Sequence, residues 1–366
     1  MKSLLDKNFN IWKDKINKLI EEHPLQIISW EATRRCNLKC VHCGSPSENV
    51  NLSSELKTEE VIEAFEQIIT EFDMTQFKHI NITGGEPFVR KDLLKILEAL
   101  SKHHEYRNID IQTNGIFISQ NPGVLKKLKK FGVTGLGISL DGLEDTHNNF
   151  RKIKDGFKKA VSAAQLAVQS GFVVTISVVA HSKNIHEISL LHDMVKEQIK
   201  PRIFRIMFID PIGRAKYDSE YILSIDQIKW IINFLHDQYK QNCSSYHSSS
   251  TMMVELGCGG WFGKELEGTF RPFIFHCIAG INNLGILYDG KLASCSNVSR
   301  DFIEGDLQTD NIKDVWENRY QRYRNREWRK NGKCTNCSDW DFCHGGPMHL
   351  SSIENQQKCF HLKPKN

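Results

Sequence analysis

The stretch Glu31-Ala32-Thr33-Arg34-Arg35-Cys36-Asn37-Leu38-Lys39-Cys40-Val41-His42-Cys43 sets three cysteines within eight residues, spaced C-x3-C-x2-C. It follows a β-rich run over residues 25–30. In parallel α/β folds, ligands gather on the loops at the C-terminal ends of strands. Three thiolates ligate three irons of a cubane cluster and leave the fourth iron without a protein ligand. A structural zinc site needs four ligands, and His42 is the residue that would supply the fourth. The spacing favours the cluster.

Outward from this loop, short apolar runs alternate with longer amphipathic ones. The β-rich runs are 25–30, 77–83, 109–113, 135–140, 172–179 and 203–208. The helical stretches are 58–72, 91–103, 122–131, 155–170, 186–196 and 224–239. Val61, Phe65, Ile68 and Ile69 show the helical spacing of one such face. Six strand–helix units in series predict an α/β fold with a parallel sheet, an open partial barrel with fewer units than a closed (β/α)8 barrel. Residues 1–24 read as an amphipathic helical extension.

Near Gln241 the pattern changes. Cys243 to Ser250 is Ser-rich and reads as a linker. Beyond it, glycine, aromatic residues and cysteine replace the alternation. The expected division is therefore 1–24, a barrel over 25–242, and a cysteine-rich domain over 251–366 that folds around metal.

Bulk properties set limits. The 366 residues are 40% hydrophobic and 25% charged, as in ordinary globular chains. A net charge of +4 gives no case for nucleic acid. No apolar run is long enough to span a membrane, and the N-terminus lacks the pattern of a signal peptide. A cytoplasmic protein is expected. Eleven cysteines in a reducing compartment then point to metal or catalysis rather than disulfides.

C-x3-C-x2-C after the first strand resembles the signature of the radical S-adenosylmethionine (SAM) superfamily. That family folds as a partial (β/α)6 barrel, in agreement with the unit count. The resemblance implies a 4Fe–4S cluster on Cys36, Cys40 and Cys43. Its open iron is chelated by the amino and carboxylate groups of SAM, and reductive cleavage of SAM gives a 5′-deoxyadenosyl radical. His42 takes the position near the adenine. Gly84-Gly85-Glu86-Pro87 resembles the family's GGEP motif, with Glu86 accepting from the ammonium group. Asn114, Ser139 and Asp141 fall at positions near the ribose and methionine portions. His147 and Arg151 occupy a segment whose arginine meets the cofactor carboxylate, although Lys152 replaces the usual glycine. Arg214, in Pro211-Ile212-Gly213-Arg214-Ala215, resembles a segment of peptide-modifying members.

Cys277, Gly290, Cys295, Cys334, Cys337, Cys343 and Cys359 resemble the SPASM extension, which carries two auxiliary iron–sulfur clusters. Cys334, Cys337, Cys343 and Cys359 form a complete four-thiolate set, which taken alone also suits zinc. The family has one further cysteine where this chain has Pro347. Cys258, Cys277 and Cys295 are then left for the first auxiliary cluster, with its fourth iron open or closed by His344, another side chain or substrate. Cys243 lies outside both patterns, as an inert thiol or a hydrogen-atom donor.

The resemblance implies a peptide maturase that forms a C–C or thioether cross-link in a ribosomally made precursor peptide. Flavodoxin or ferredoxin would be the electron donor. Its rivals are a sulfatase-type maturase oxidising Cys or Ser, and a non-catalytic iron–sulfur or zinc regulatory protein. The 24 residues before the barrel are too few for a leader-gripping domain.

Overall fold

The structure, a computed structural model, describes residues 2–44, 52–217, 219–242, 251–271, 273–351 and 359. Cys243 and the Ser-rich linker lie outside the described residues.

Six parallel strands form the centre: β1 Ile27–Thr33, β2 His79–Gly84, β3 Ile109–Thr113, β4 Val133–Ser139, β5 Val173–Ala180 and β6 Ile203–Phe208. They pair in chain order, with Trp30 opposite Ile82, Ile111 opposite Leu136 and Ile176 opposite Phe204. Their β-branched and aromatic residues fill the face that meets the helices, while alternate positions such as Asn81, Asp110, Gln112 and Arg205 put polar side chains on the other face. Ile28, Ile80, Ile111, Val174 and Ile206 are all fully buried.

Among the described residues of the first two thirds of the chain, the α-helices are α1 Lys2–Glu22, α2 Thr58–Glu71, α3 Leu93–Leu100, α4 Ile116–Gln120, α5 Val124–Lys130, α6 Glu144–Arg151, α7 Gly156–Gln169, α8 Ile188–Gln198 and α9 Ile225–Asn242. The sequence pattern anticipates all but α4 and α6. These two are short and directly follow site loops, where polar side chains interrupt the apolar period. Helix α2 buries Val61, Ala64, Phe65 and Ile68, whereas α7 buries the small residues Ala160, Ala163, Ala164 and Ala167. Small side chains let α7 approach the sheet and α4 closely.

The sheet does not stop at the expected domain boundary. Strand β7 (Met253–Leu256) joins β6 in parallel, and β8 (Asn283–Ile286) joins β1 in parallel. Antiparallel β9 (Lys291–Ala293) and β10 (Gly305–Asp306) complete the order β10-β9-β8-β1-β2-β3-β4-β5-β6-β7. The cysteine-rich region thus extends both edges of the barrel sheet and caps its open side.

Helix α1 docks on that region. Phe9 is 4% exposed and meets Trp261 and Phe342 edge-on at centroid distances of 6.1 and 5.6 Å. Lys13 pairs with Asp341, and Trp316 Nε1 donates to the His23 carbonyl at 3.1 Å. Phe9→Ala therefore removes a buried anchor. It is expected to destabilise the protein by about 3 kcal/mol, while Ile11→Ala, on the exposed face of the same helix, stays within about 0.5 kcal/mol. Chemical denaturation of both variants checks this.

Candidate active site

The site is built where β1 and β2 end. Between Glu31 and Thr33 the β1–β2 register slips, and the chain turns into the cysteine loop. Gly85 N donates to the Thr33 carbonyl at 2.7 Å and Glu86 N to the Arg35 carbonyl at 2.9 Å. This seam excludes side chains. A Cβ on Gly84 would lie 2.3 Å from the Thr33 oxygen, and one on Gly85 would lie 2.2 Å from the Arg35 oxygen. Gly84 also holds φ at 141°, outside the ordinary range of L-residues.

Glu86 is 2% exposed. Its Oε1 accepts from Thr113 Oγ1 at 2.7 Å and Phe88 N at 3.3 Å, and its Oε2 accepts from Asn114 N at 2.8 Å. The carboxylate therefore joins the ends of β2 and β3. By lone-pair count, one acceptor position remains on Oε2 for a ligand. Burial pushes the Glu86 pKa up, against these three donors. Asn114 Nδ2 donates to Asn37 Oδ1 at 2.8 Å and so steadies the cysteine loop.

Cys36, Cys40 and Cys43 all face one cavity of 320 Å³, together with His42, Gly84, Gly85, Glu86, Asn114, Ser139, Arg151 and Arg214. Burial, then the nearby charges of Glu86, Cys40 and Cys43, push the Cys36 thiol up to about 11, against a bond from the Leu38 amide. A buried thiol such as Cys36 resists ionising unless a cation is bound beside it, and two further sulfurs face the same cavity. The donor set thus fits an iron–sulfur cluster.

Arg151 reaches across from α6. Its Nη1 approaches Cys40 Sγ at 3.7 Å and its Nε donates to Asp141 Oδ2. Asp141 is fully buried and accepts from Val179 N at 2.8 Å. Burial alone would raise the Asp141 pKa, but Arg151, with His42 and His147, holds it well below the usual carboxylate range. Asp141 is not on the cavity wall. Expected from sequence near the cofactor, it holds Arg151, which does face the cavity. Pro87 is likewise behind the wall, as the first residue of a short 3-10 turn capped by Glu86. His147 sits beneath as well, its Nδ1 accepting from Asp141 N at 3.0 Å.

On the other side, Arg214 Nε donates to the Cys40 carbonyl at 2.7 Å and Arg214 N to the Cys43 carbonyl at 3.0 Å. His42 stacks flat on Phe150, with ring centroids 4.6 Å apart. Its buried Nδ1 has no hydrogen-bond partner among the described residues. Burial, then Arg151, drives its pKa down to about 3, so the ring is neutral at pH 7. A neutral ring nitrogen at the cavity suits a bound group with an N–H or O–H.

The cavity continues beyond the loop. Sequence reasoning missed Val179, Met207–Asp210, Asn297 and His349 as lining residues. Cys258 is also on this wall. Cys258 is exposed as a residue, yet desolvation of its sulfur, then the charges of Cys277 and Cys295, raise its thiol well above the ordinary value, so these three thiols are neighbours. The second group, Cys334, Cys337, Cys343 and Cys359, is likewise gathered. Burial, then Cys359 and Cys334, push Cys343 up to about 12. Cys334 is raised by burial and then by Cys359 and Cys337. Buried Arg329 feels thiols of both groups, Cys277 on one side and Cys334 and Cys343 on the other. Among the described residues, no three His, Cys, Asp or Glu side chains converge as ligands of one ion would. His344, proposed from sequence as a closing ligand, instead packs edge-on to His276 at 5.4 Å.

Comparison with known proteins adds the family. The radical SAM superfamily pattern matches residues 30–195, and the SPASM iron–sulfur cluster-binding domain matches residues 277–338. The chain belongs to the radical SAM enzymes and carries a C-terminal SPASM domain. Its cofactors are accordingly a 4Fe–4S cluster and SAM, with auxiliary iron–sulfur in the SPASM region.

This radical SAM chain is 28% identical over 253 residues to the Fe-coproporphyrin III synthase of Methanosarcina barkeri, covering 67% of this chain and 61% of that protein. It is 29% identical over 328 residues to the mycofactocin maturase MftC of Mycolicibacterium smegmatis, covering 88% and 77%. Its fold is that of SuiB from Streptococcus suis, solved bound to precursor peptide SuiA, with a TM-score of 0.68 at 17% identity and coverage of 93% and 77%. No helix among the described residues is long and apolar enough to cross a membrane.

Asp141→Asn leaves the buried Arg151 charge poorly paired. A loss of about 3–5 kcal/mol of stability is expected, with weaker SAM binding as a consequence. Ser139→Ala, at the cavity wall, is expected to weaken SAM binding with stability changed by less than about 0.5 kcal/mol. Denaturation and calorimetric titration with SAM separate the two.

Proposed function

We propose that this radical SAM enzyme modifies a ribosomally made precursor peptide, forming a C–C or thioether cross-link. The observation that carries the reading is the shared cavity. One wall is the three-cysteine loop and the other comes from Cys258, Asn297 and His349 of the SPASM region. A substrate held there meets both halves of the chain. The likenesses to MftC and to SuiB support a peptide as that substrate.

In this reading Cys36, Cys40 and Cys43 hold the catalytic cluster. His42, Gly84, Gly85, Glu86, Asn114, Ser139 and Arg151 position SAM, with Asp141 and Pro87 acting from behind. The bound cluster and SAM supply a radical that removes a hydrogen atom from an unactivated C–H bond. The chain contributes orientation and a water-poor wall. Gly84 and Gly85 let backbone approach the cofactor closely. Glu86 offers its remaining lone pair to an ammonium group, and Arg151 offers its guanidinium to a carboxylate. Cys334, Cys337, Cys343 and Cys359 hold one auxiliary cluster, and Cys258, Cys277 and Cys295 hold three irons of another. Residues 1–24, 25–242 and 251–366 divide as extension, barrel and SPASM region in a cytoplasmic enzyme reduced by flavodoxin or ferredoxin.

A tetrapyrrole is the second reading, favoured by the likeness to Fe-coproporphyrin III synthase. The test is anaerobic reconstitution with dithionite and SAM, offering peptides encoded beside the gene and, separately, coproporphyrin. The expected result is 5′-deoxyadenosine together with a peptide lighter by two hydrogens. Turnover of the porphyrin alone, or no 5′-deoxyadenosine above a Cys36→Ala control, overturns the proposal.

A further inference from the structure

The first auxiliary group has three thiols, and Pro347 stands where the SPASM pattern that this sequence resembles has a further cysteine. The chain around Pro347 nonetheless stays at the group. Met348 N donates to Cys277 Sγ at 3.5 Å, so the backbone one residue past the proline lies on that sulfur. The next side chain, His349, is 8% exposed and faces the same cavity as Cys258. Its Nε2 bonds Asp210 Oδ2 at 2.9 Å. Asp210 ends the β6 loop, 139 residues away, and its charge acts on the Cys258 thiol.

This arrangement has a chemical signature. A histidine that ligates a metal hands its other ring nitrogen to a carboxylate, which fixes the tautomer and raises ligand basicity. The Asp210 bond occupies Nε2 and leaves Nδ1 as the ligating nitrogen. With the carboxylate accepting from Nε2–H, Nδ1 carries the lone pair. Three neighbouring features agree: the missing thiolate, the sulfur-bound backbone at Met348, and a carboxylate-oriented imidazole beside Cys258. His344, turned toward His276, has none of them.

We infer that His349, held by Asp210, is the fourth ligand of the cluster on Cys258, Cys277 and Cys295. The inference rests on the reading of those three thiols as cluster ligands. It makes this a Cys3His cluster closed by the protein and not an open iron for substrate. It also ties the cluster to the barrel, because Asp210 lies on the loop that follows β6 and lines the SAM cavity. Replacing thiolate by imidazole raises a cluster's reduction potential.

Electron-nuclear spectroscopy of the full-length holoprotein tests this without turnover. The protein is grown in 15N medium with 14N-histidine, reduced in the absence of SAM, and compared with His349→Gln and His349→Cys. The expected result is about twelve irons per chain and a 14N coupling in the wild type. That coupling is lost in His349→Gln. In His349→Cys the iron content is kept and the midpoint potential of one cluster falls. SAM binding by each variant shows that the barrel is folded. A 14N coupling that persists in His349→Gln, or its absence from a wild type holding about twelve irons, overturns the ligand assignment alone. A wild type with only about eight irons overturns the three-thiol cluster itself, and the inference with it.

Discussion

The site depends on a backbone seam. The carbonyls of Thr33 and Arg35 accept the amides of Gly85 and Glu86, and no Cβ fits between the two chains. This pins the start of the cysteine loop to the end of β2. From there the constraint spreads: Glu86 fastens β2 to β3, and Asn114 fastens β3 back to Asn37 in the loop. Three loops from three strands become one rigid rim. Such a rim can hold cysteines at fixed separations before any cluster is present, which is what preorganisation of a site requires.

Charge is arranged around that rim with the same economy. Cys40 lies between two arginines, Arg151 at its sulfur and Arg214 at its carbonyl. Arg151 is kept in place by a carboxylate sealed beneath the wall, so a positive charge faces the cavity and its counter-charge does not. His42 is neutral, stacked on Phe150, which in turn stacks on His181 at 4.2 Å. The cavity presents sulfur, the guanidiniums of Arg151 and Arg214, and the carboxylates of Glu86 and Asp210. That combination suits a zwitterionic ligand bound beside a metal cluster.

The barrel was legible because its signals are local. β-Branched runs and helical apolar spacing placed all six central strands and the helices between them other than α4 and α6, with ends shifted by a few residues. The C-terminal strands were not legible. β8 has four residues, and its partner is β1, more than 250 positions earlier in the chain. Nothing within a short window announces such a pairing. Site residues divide the same way. The cysteines, Gly84, Gly85 and Glu86 declare themselves by motif. Asp141 was read as a ligand contact because a motif gives residue type and not depth. Only the fold shows Asp141 fully buried and bonded to Arg151, which lines the cavity. The Asp210–His349 bond joins two segments whose meeting depends on the whole sheet.

The central claim is that Cys36, Cys40 and Cys43 leave one iron open to SAM. The most direct measurement is electron-nuclear double resonance on the reduced protein with SAM labelled with 15N at its amino group. A variant lacking Cys258, Cys277 and Cys295 as well as Cys334, Cys337 and Cys343 removes the two auxiliary signals that would obscure it. The account predicts a 15N coupling in this variant and in the wild type, lost when Cys40 is replaced. A coupling that survives replacement of Cys40, or no coupling in the wild type with SAM bound, would contradict it.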